Sequence, residues 1–136
     1  MHKIFSLIYL LFIVSVLSAQ DGAPILSHYK ESREIENQNW AICQDENRVM
    51  LFANRKGILS FDGEEWSSIR IPIVPFSMQM NPYDDRIYVG GDNNYGYIEK
   101  HRIGSYRYVS LSGDSADLGL ITKIVFNDSL VWFYSE

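Results

Sequence analysis

Val49-Met50-Leu51-Phe52-Ala53-Asn54-Arg55-Lys56-Gly57-Ile58-Leu59-Ser60-Phe61-Asp62-Gly63 is the stretch on which the fold turns. It holds two short apolar runs, Val49–Ala53 and Ile58–Phe61, each ended by turn formers. Short runs rich in aromatic and branched residues favour strands. Asp62-Gly63 between apolar runs is a strong hairpin signal, because the tight turn needs positive φ. Working outward, Trp40–Gln44 precedes the turn Asp45-Glu46-Asn47, and Trp66–Ile71 follows, closed by Pro72. The unit is four strands joined by short turns.

The pattern recurs. Phe76–Met80, the turn 81–85, Arg86–Gly90, the turn 91–94, Tyr95–Glu99, a turn containing Gly104, and Tyr106–Leu111 repeat the order of the first unit. A third unit begins with Ile121–Phe126, the turn 127–129 and Leu130–Tyr134. Ile42, Met78 and Ile124 hold equivalent places, separated by 36 and 46 residues. A repeat of roughly 40–50 residues carrying four strands is the signature of a propeller blade. The expected fold class is therefore all-β, a partial β-propeller of about two and a half four-stranded antiparallel blades. A plain antiparallel sandwich is the alternative, since sandwiches also space their strands evenly. The expected divisions are a signal peptide at 1–19, a lead-in at 20–38 with a short helical turn near Lys30–Glu36, blade 1 at 39–74, blade 2 at 75–118, and the first half of blade 3 at 119–136. A propeller hides its apolar faces only by closing. The expectation is thus a piece of a larger propeller, completed by the rest of a parent protein or by a partner chain, and poorly soluble alone because of its open strand edge.

The composition suits a globular exported protein. Of the 136 residues, 46% are apolar, 21% charged and 14% aromatic, with nine Tyr, seven Phe and three Trp. His2 and Lys3 form a basic n-region ahead of the apolar run Ile4–Leu17, and Ser18-Ala19 supplies small residues for cleavage after Ala19. The run is about 14 residues, short of the roughly 20 that span a membrane, so a leader is expected and no further span. The expected location is the periplasm or otherwise outside the cytoplasm. Removal of the leader takes Lys3 and no acid, leaving the mature chain one unit more negative than the whole chain's −5. That charge lacks the basic footprint of nucleic-acid binding. The lone Cys43 makes no internal disulfide and sits in a strand pattern, as a buried small hydrophobe.

Asn39-Trp40-Ala41-Ile42, Asp45 to Met50, Asn54 to Gly63 and Trp66, together with Arg86-Ile87-Tyr88-Val89-Gly90-Gly91 and Tyr95-Gly96-Tyr97, resemble the two-component regulator propeller repeat. More closely, they are similar to the N-terminus of bacterial triple-tyrosine-motif sensor proteins. The likeness covers about residues 37–134. The resemblance implies a large periplasmic propeller, then a β-sandwich carrying the tyrosine motif, a membrane helix, and a cytoplasmic histidine kinase, hybrid kinase–regulator or helix-turn-helix output. It also implies a small-molecule ligand, with products of carbohydrate breakdown as one class. For this chain the expectation is the N-terminal part of an extracytoplasmic ligand-sensing propeller of a signal-transduction or transcription regulator, not sensing on its own. A protein-interaction or carbohydrate-binding propeller is the alternative, and an exported hydrolase or lyase stands behind both.

In an up-and-down blade the turns alternate between two ends. The turn after strand two and the link to the next blade share one end. There the candidate ligand-binding residues are Asn54, Arg55, Lys56, Asp92, Asn93, Asn94 and Tyr95, with the link 112–119 beside them. Such loops on rigid strands commonly carry binding residues, although Asn, Asp and Gly also populate ordinary turns for backbone reasons. No catalytic residue, metal site or cofactor is expected. Glu64-Glu65 and Asp84-Asp85 are carboxylate pairs of the kind used in glycoside hydrolysis, but they fall in hairpin turns at the opposite end. Asp114 and Asp117 lack the alternating oxygen pattern of a calcium loop. His28 and His101 lack a partner at metal-ligand spacing. Trp40, Trp66 and Trp132 are expected to pack between blades, with sugar stacking as the alternative.

Overall fold

The structure is a computed structural model, and it describes residues 4–5, 36–102, 105–113 and 117–136. The expected leader apart from Ile4 and Phe5, most of the lead-in with His28, and Gly104 and Asp114 lie outside the described residues. The chain divides into units of residues 1–30 and 31–136, and the second carries every strand among the described residues.

The chain is all-β. Strands β1 (Asn39–Gln44), β2 (Met50–Asn54), β3 (Gly57–Phe61) and β4 (Trp66–Ile69) form one antiparallel sheet in chain order. Strands β5 (Ser77–Met80), β6 (Ile87–Gly90), β7 (Tyr95–Arg102) and β8 (Ser105–Ser110) form a second with the same order. Strands β9 (Ile121–Asn127) and β10 (Leu130–Ser135) make a two-stranded ladder. Each sheet uses only consecutive strands, so they are not interleaved as in a two-layer sandwich. β4 ends two residues before the expected Ile71, because β3 begins at Gly57 and Ile58↔Ile69 is the last pair. β7 runs past the expected Glu99, because Lys100 and Arg102 find partners in Tyr106 and Ser105.

Alternation along the strands gives each sheet two faces. In the first sheet Ile42, Phe52 and Leu59 share one face, while Leu51, Ala53 and Ile58 share the other. The second set is fully buried, in one core with Met78, Ile87, Val89 and Ile98 of the second sheet. The far face of the second sheet meets the ladder through aromatic rings. Tyr88 lies 5.5 Å from Phe126 and 6.1 Å from Phe133, and Tyr95 lies 4.4 Å from Phe133. Ser77 Oγ donates to the Ile121 carbonyl at 2.8 Å across the same boundary. The closest approaches between sheets run through their first strands: β1 lies against β5, and β5 and β6 against β9.

The tryptophans divide. Trp40 bridges the first two sheets as expected, its ring 4.6 Å from Phe76. Among the described residues the ring partners of Trp66 belong to its own sheet. It stacks on Phe61 at 4.7 Å and tilts against Phe52 at 5.4 Å, both in its own sheet, because Phe61 is its cross-strand partner. Trp132 is 51% exposed on the outer face of the ladder.

Candidate functional site

At the β2–β3 turn, Asn54 is fully buried although it is polar. Its amide nitrogen donates to the carbonyls of Glu36 (2.7 Å) and Gln38 (3.0 Å) and to Asn39 Oδ1 (3.0 Å). Its Oδ1 accepts from the Lys56 amide at 3.2 Å. Burial of an amide requires such pairing, and here it lashes the incoming chain to the sheet. Arg55 and Lys56 are exposed beside it.

The β6–β7 turn is tied to the chain entering the ladder. Asn93 has φ of 53°, a conformation that Asn tolerates better than most residues. Its Oδ1 accepts from the amides of Leu118 (2.9 Å) and Gly119 (2.8 Å), and its own amide donates to the Gly119 carbonyl at 2.9 Å. Asp92 forms a β-bridge with Leu120 and remains exposed at its side chain. Asn94 Oδ1 accepts from the Tyr108 hydroxyl at 3.0 Å, and burial pushes that phenol up to about 12. Tyr95 is half-buried against Phe133, so this face of its ring is covered rather than offered to a ligand. Of the seven candidate residues, the three asparagines spend their amides on anchoring, and Tyr95 is packed. Arg55, Lys56 and Asp92 are the exposed charged members.

A second polar cluster joins the two sheets at the β1–β2 turn. Asp45 is 2% exposed at its side chain, yet every oxygen is used. Oδ1 accepts from the amides of Asn47 and Val49, each at 2.8 Å. Oδ2 accepts from Lys100 Nζ at 2.9 Å and from the Tyr106 hydroxyl at 2.8 Å, both on the second sheet's outer hairpin. Lys100 also reaches Glu46 at 3.1 Å. Burial raises the Asp45 pKa, but the bonds from Lys100, Tyr106 and Val49 outweigh it and hold the carboxyl below its usual value. Burial, and then the Asp45 bond, raise the Tyr106 phenol well above its ordinary value. Beside this clamp lies a cleft of about 180 Å³ lined by Ser60, Asp62, Glu65, Ser67, Lys100 and Tyr106. It presents hydroxyls and carboxylates. Its ammonium is already paired, and its phenol is held protonated at neutral pH.

The remaining sequence candidates do not converge. Glu64 and Glu65 donate their backbone amides to Asp62 Oδ1 at 2.9 and 2.8 Å, a turn-stabilising arrangement. Asp84 accepts from the Tyr88 hydroxyl at 2.9 Å, and Asp85 sits at φ of 57°. Cys43 is half-buried rather than buried, and burial pushes its thiol up to about 12, followed by the nearby Asp45 charge. Such a thiol is a poor nucleophile. Among the described residues no three His, Cys, Asp or Glu side chains cluster as a metal site, and no helix is long and apolar enough to cross a membrane.

These features define an all-β chain of chain-ordered antiparallel sheets with polar anchors at the turns. No protein-family model matches the chain, and neither a curated protein nor a solved structure is significantly similar to it.

Proposed function

We propose that the chain is the N-terminal part of an exported β-propeller, the ligand-sensing module of a bacterial signal-transduction protein. The observation that carries this is the stacking of like sheets in chain order, closest at their first strands, which is how blades fan around an axis. Ile42, Met78 and Ile124 also occupy the same register place, opposite Phe52, Val89 and Phe133, as a blade repeat requires. The ligand surface is the end carrying Arg55, Lys56 and Asp92, held by turns that Asn54, Asn93 and Asn94 make rigid. Charged side chains on rigid turns suit recognition of a small polar molecule, and an oligosaccharide is the class the family resemblance suggests. Catalysis is not part of the proposal, because the candidate acids, thiol and histidine lie on separate turns and strands.

Calorimetric titration of the chain with a panel of neutral and acidic disaccharides tests the proposal. Binding of one member, weakened about tenfold (1.4 kcal/mol) by Arg55→Ala or Asp92→Ala but not by Lys123→Ala, is the expected result. Saturable binding that neither variant weakens would place the site elsewhere. A folded protein that binds none of the panel would remove the sugar class.

A further inference from the structure

The first two sheets differ at matching places in their registers. Leu51, Ser60 and Ser67 stand opposite one another across the first sheet, and Tyr88, Tyr97 and Val109 hold the same places in the second. Ser60 continues the face of Ile58, which is fully buried in the core shared with the second sheet. Two small hydroxyl residues therefore stand where the repeat elsewhere sets a ring and a branched chain. The space they leave open is the cleft of about 180 Å³ beside the Asp45 clamp. A cavity of about 150 Å³ holds a benzene ring, so this one takes a single six-membered ring with its substituents toward the mouth. It lies at the end of the sheets that carries the β1–β2 and β3–β4 turns, opposite to Arg55 and Lys56.

The cleft is rich in acceptors. The Tyr106 phenol donates its proton to Asp45, so toward a further partner its oxygen can only accept. Lys100 spends two of its three N–H bonds on Asp45 and Glu46, leaving one. Asp62 Oδ1 takes the Glu64 and Glu65 amides, so Oδ2 is the oxygen open to a partner, and Glu65 is exposed at the rim. Ser60 is 8% exposed, yet its hydroxyl reaches the Ser67 carbonyl only at 3.5 Å, beyond the usual O–H···O range. A hydroxyl buried to that degree calls for a closer partner. The charged lining is two carboxylates against one ammonium that Asp45 already neutralises, so it favours a cation. Among the described residues Asp62 and Glu65 belong to no metal-holding group of three, so an organic cation fits better than a metal ion.

We propose that this cleft is a second ligand site, specific for a compact primary amine bearing hydroxyls, of which a hexosamine is the ring-sized example. The ammonium sits between Asp62 and Glu65. Ligand hydroxyls donate to Ser60 and to the Tyr106 oxygen and accept from the remaining N–H of Lys100. The site is separate from the Arg55–Asp92 surface and does not depend on it. Its walls belong to different sheets, so an occupant ties the first sheet to the second.

Nuclear magnetic resonance titration of the isotope-labelled full chain with glucosamine at pH 6 tests this. Saturable shifts at the amides of Asn47, Ser60 and Ser67 are expected. Glucose, which lacks the ammonium, and N-acetylglucosamine, whose nitrogen is uncharged, should each bind about tenfold more weakly or worse. Glu65→Gln removes a rim charge at constant shape, and Ser67→Val supplies the branched side chain that the second sheet carries at this place. Each should weaken glucosamine about tenfold, and Lys123→Ala should not. Glu65→Gln, at an exposed turn, decides alone if circular dichroism shows Ser67→Val unfolded. Absence of shifts in the cleft overturns the proposal. So does equal binding of glucose, or a glucosamine affinity that the folded variants leave unchanged. Calcium chloride that reproduces the shifts and abolishes the glucosamine response would make this a metal site and overturn it as well. Shifts at Arg55 and Asp92 with none in the cleft would sink this inference and leave the ligand surface of the preceding subsection standing. A cleft response in a protein that binds no disaccharide would do the reverse.

Discussion

Replacing Asp45 by Asn tests whether the polar clamp between the first two sheets stabilises the fold. The asparagine keeps an oxygen for the amides of Asn47 and Val49, so the turn survives. What goes is the negative charge that holds Lys100 at 2.9 Å and Tyr106 at 2.8 Å. A hydrogen bond to a charged group contributes about 1.5–3 kcal/mol. Two such bonds are at stake, but the ammonium is 37% exposed and is therefore screened. Release of a buried carboxylate from its desolvation penalty offsets part of the loss. The net expectation is about 2 kcal/mol for Asp45→Asn, and about 3–4 kcal/mol for Asp45→Ala, which also strands two amides. Urea unfolding followed by circular dichroism at neutral pH measures both. Tyr106→Phe should cost about 1 kcal/mol alone and almost nothing added to Asp45→Ala, since the two share one bond.

The pH dependence carries an independent check. The folded Asp45 pKa lies below its ordinary 3.8, so the unfolded chain binds more protons in that range. The contribution is complete above the unfolded value and is lost as pH falls through the folded one. Wild-type stability should therefore drop in acid by more than that of Asp45→Asn. A cost under about 0.5 kcal/mol at neutral pH, or parallel acid profiles for the two proteins, would show that the clamp is not stabilising.

Three further outcomes follow from single contacts. Asn93→Ala should destabilise by about 1–2 kcal/mol and speed hydrogen exchange at the Leu118 and Gly119 amides, whereas Asn93→Gly should ease the φ strain without restoring their protection. Gly90→Ala would drive a methyl into the Ile121 side chain and to 2.5 Å from Ser77 Oγ, where the second sheet meets the ladder. A cost of about 2 kcal/mol or more is expected, and chemical denaturation showing a neutral change would deny the close approach. The Cys43 thiol, pushed up to about 12, should alkylate slowly at pH 8 in the folded protein and rapidly in urea, by a mass-spectrometric time course.

The strands were legible because their signals are local. Apolar runs broken by Asp62-Gly63 and by the polar turns at 54–57 and 91–94 locate the elements to within a few residues. The clamp was not legible, because Asp45 and Tyr106 are 61 residues apart and Asp45-Glu46-Asn47 looks like any solvated turn. Its one sequence trace is an Asp at the head of a turn, and that trace suggests only the two local amides Oδ1 accepts. The asparagines carry the converse ambiguity. Asn54, Asn93 and Asn94 sit where a ligand-facing loop would place its amides, and their partners are the chain's own carbonyls, amides and a phenol. A side chain that can donate and accept at once closes turns as well as it binds ligands, and composition does not separate the two uses.

The tryptophans show why one residue type cannot be assigned one role from strand position. Trp66 lies on the face that sheet one turns away from its neighbour, so cross-strand Phe61 and same-face Phe52 are the partners within reach. Trp132 lies on the face that the ladder turns away from the second sheet, and it is half open. Trp40 enters β1 beside Phe76, where the sheets converge, and there a large ring spans the gap. Aromatic content follows from a stack that must fill space between sheets, whereas the place of each ring follows from register parity and distance from the line of closest approach. Parity alone does not set burial, since Leu59 shares the face of Ile42 and is 4% exposed where Ile42 is 58% exposed.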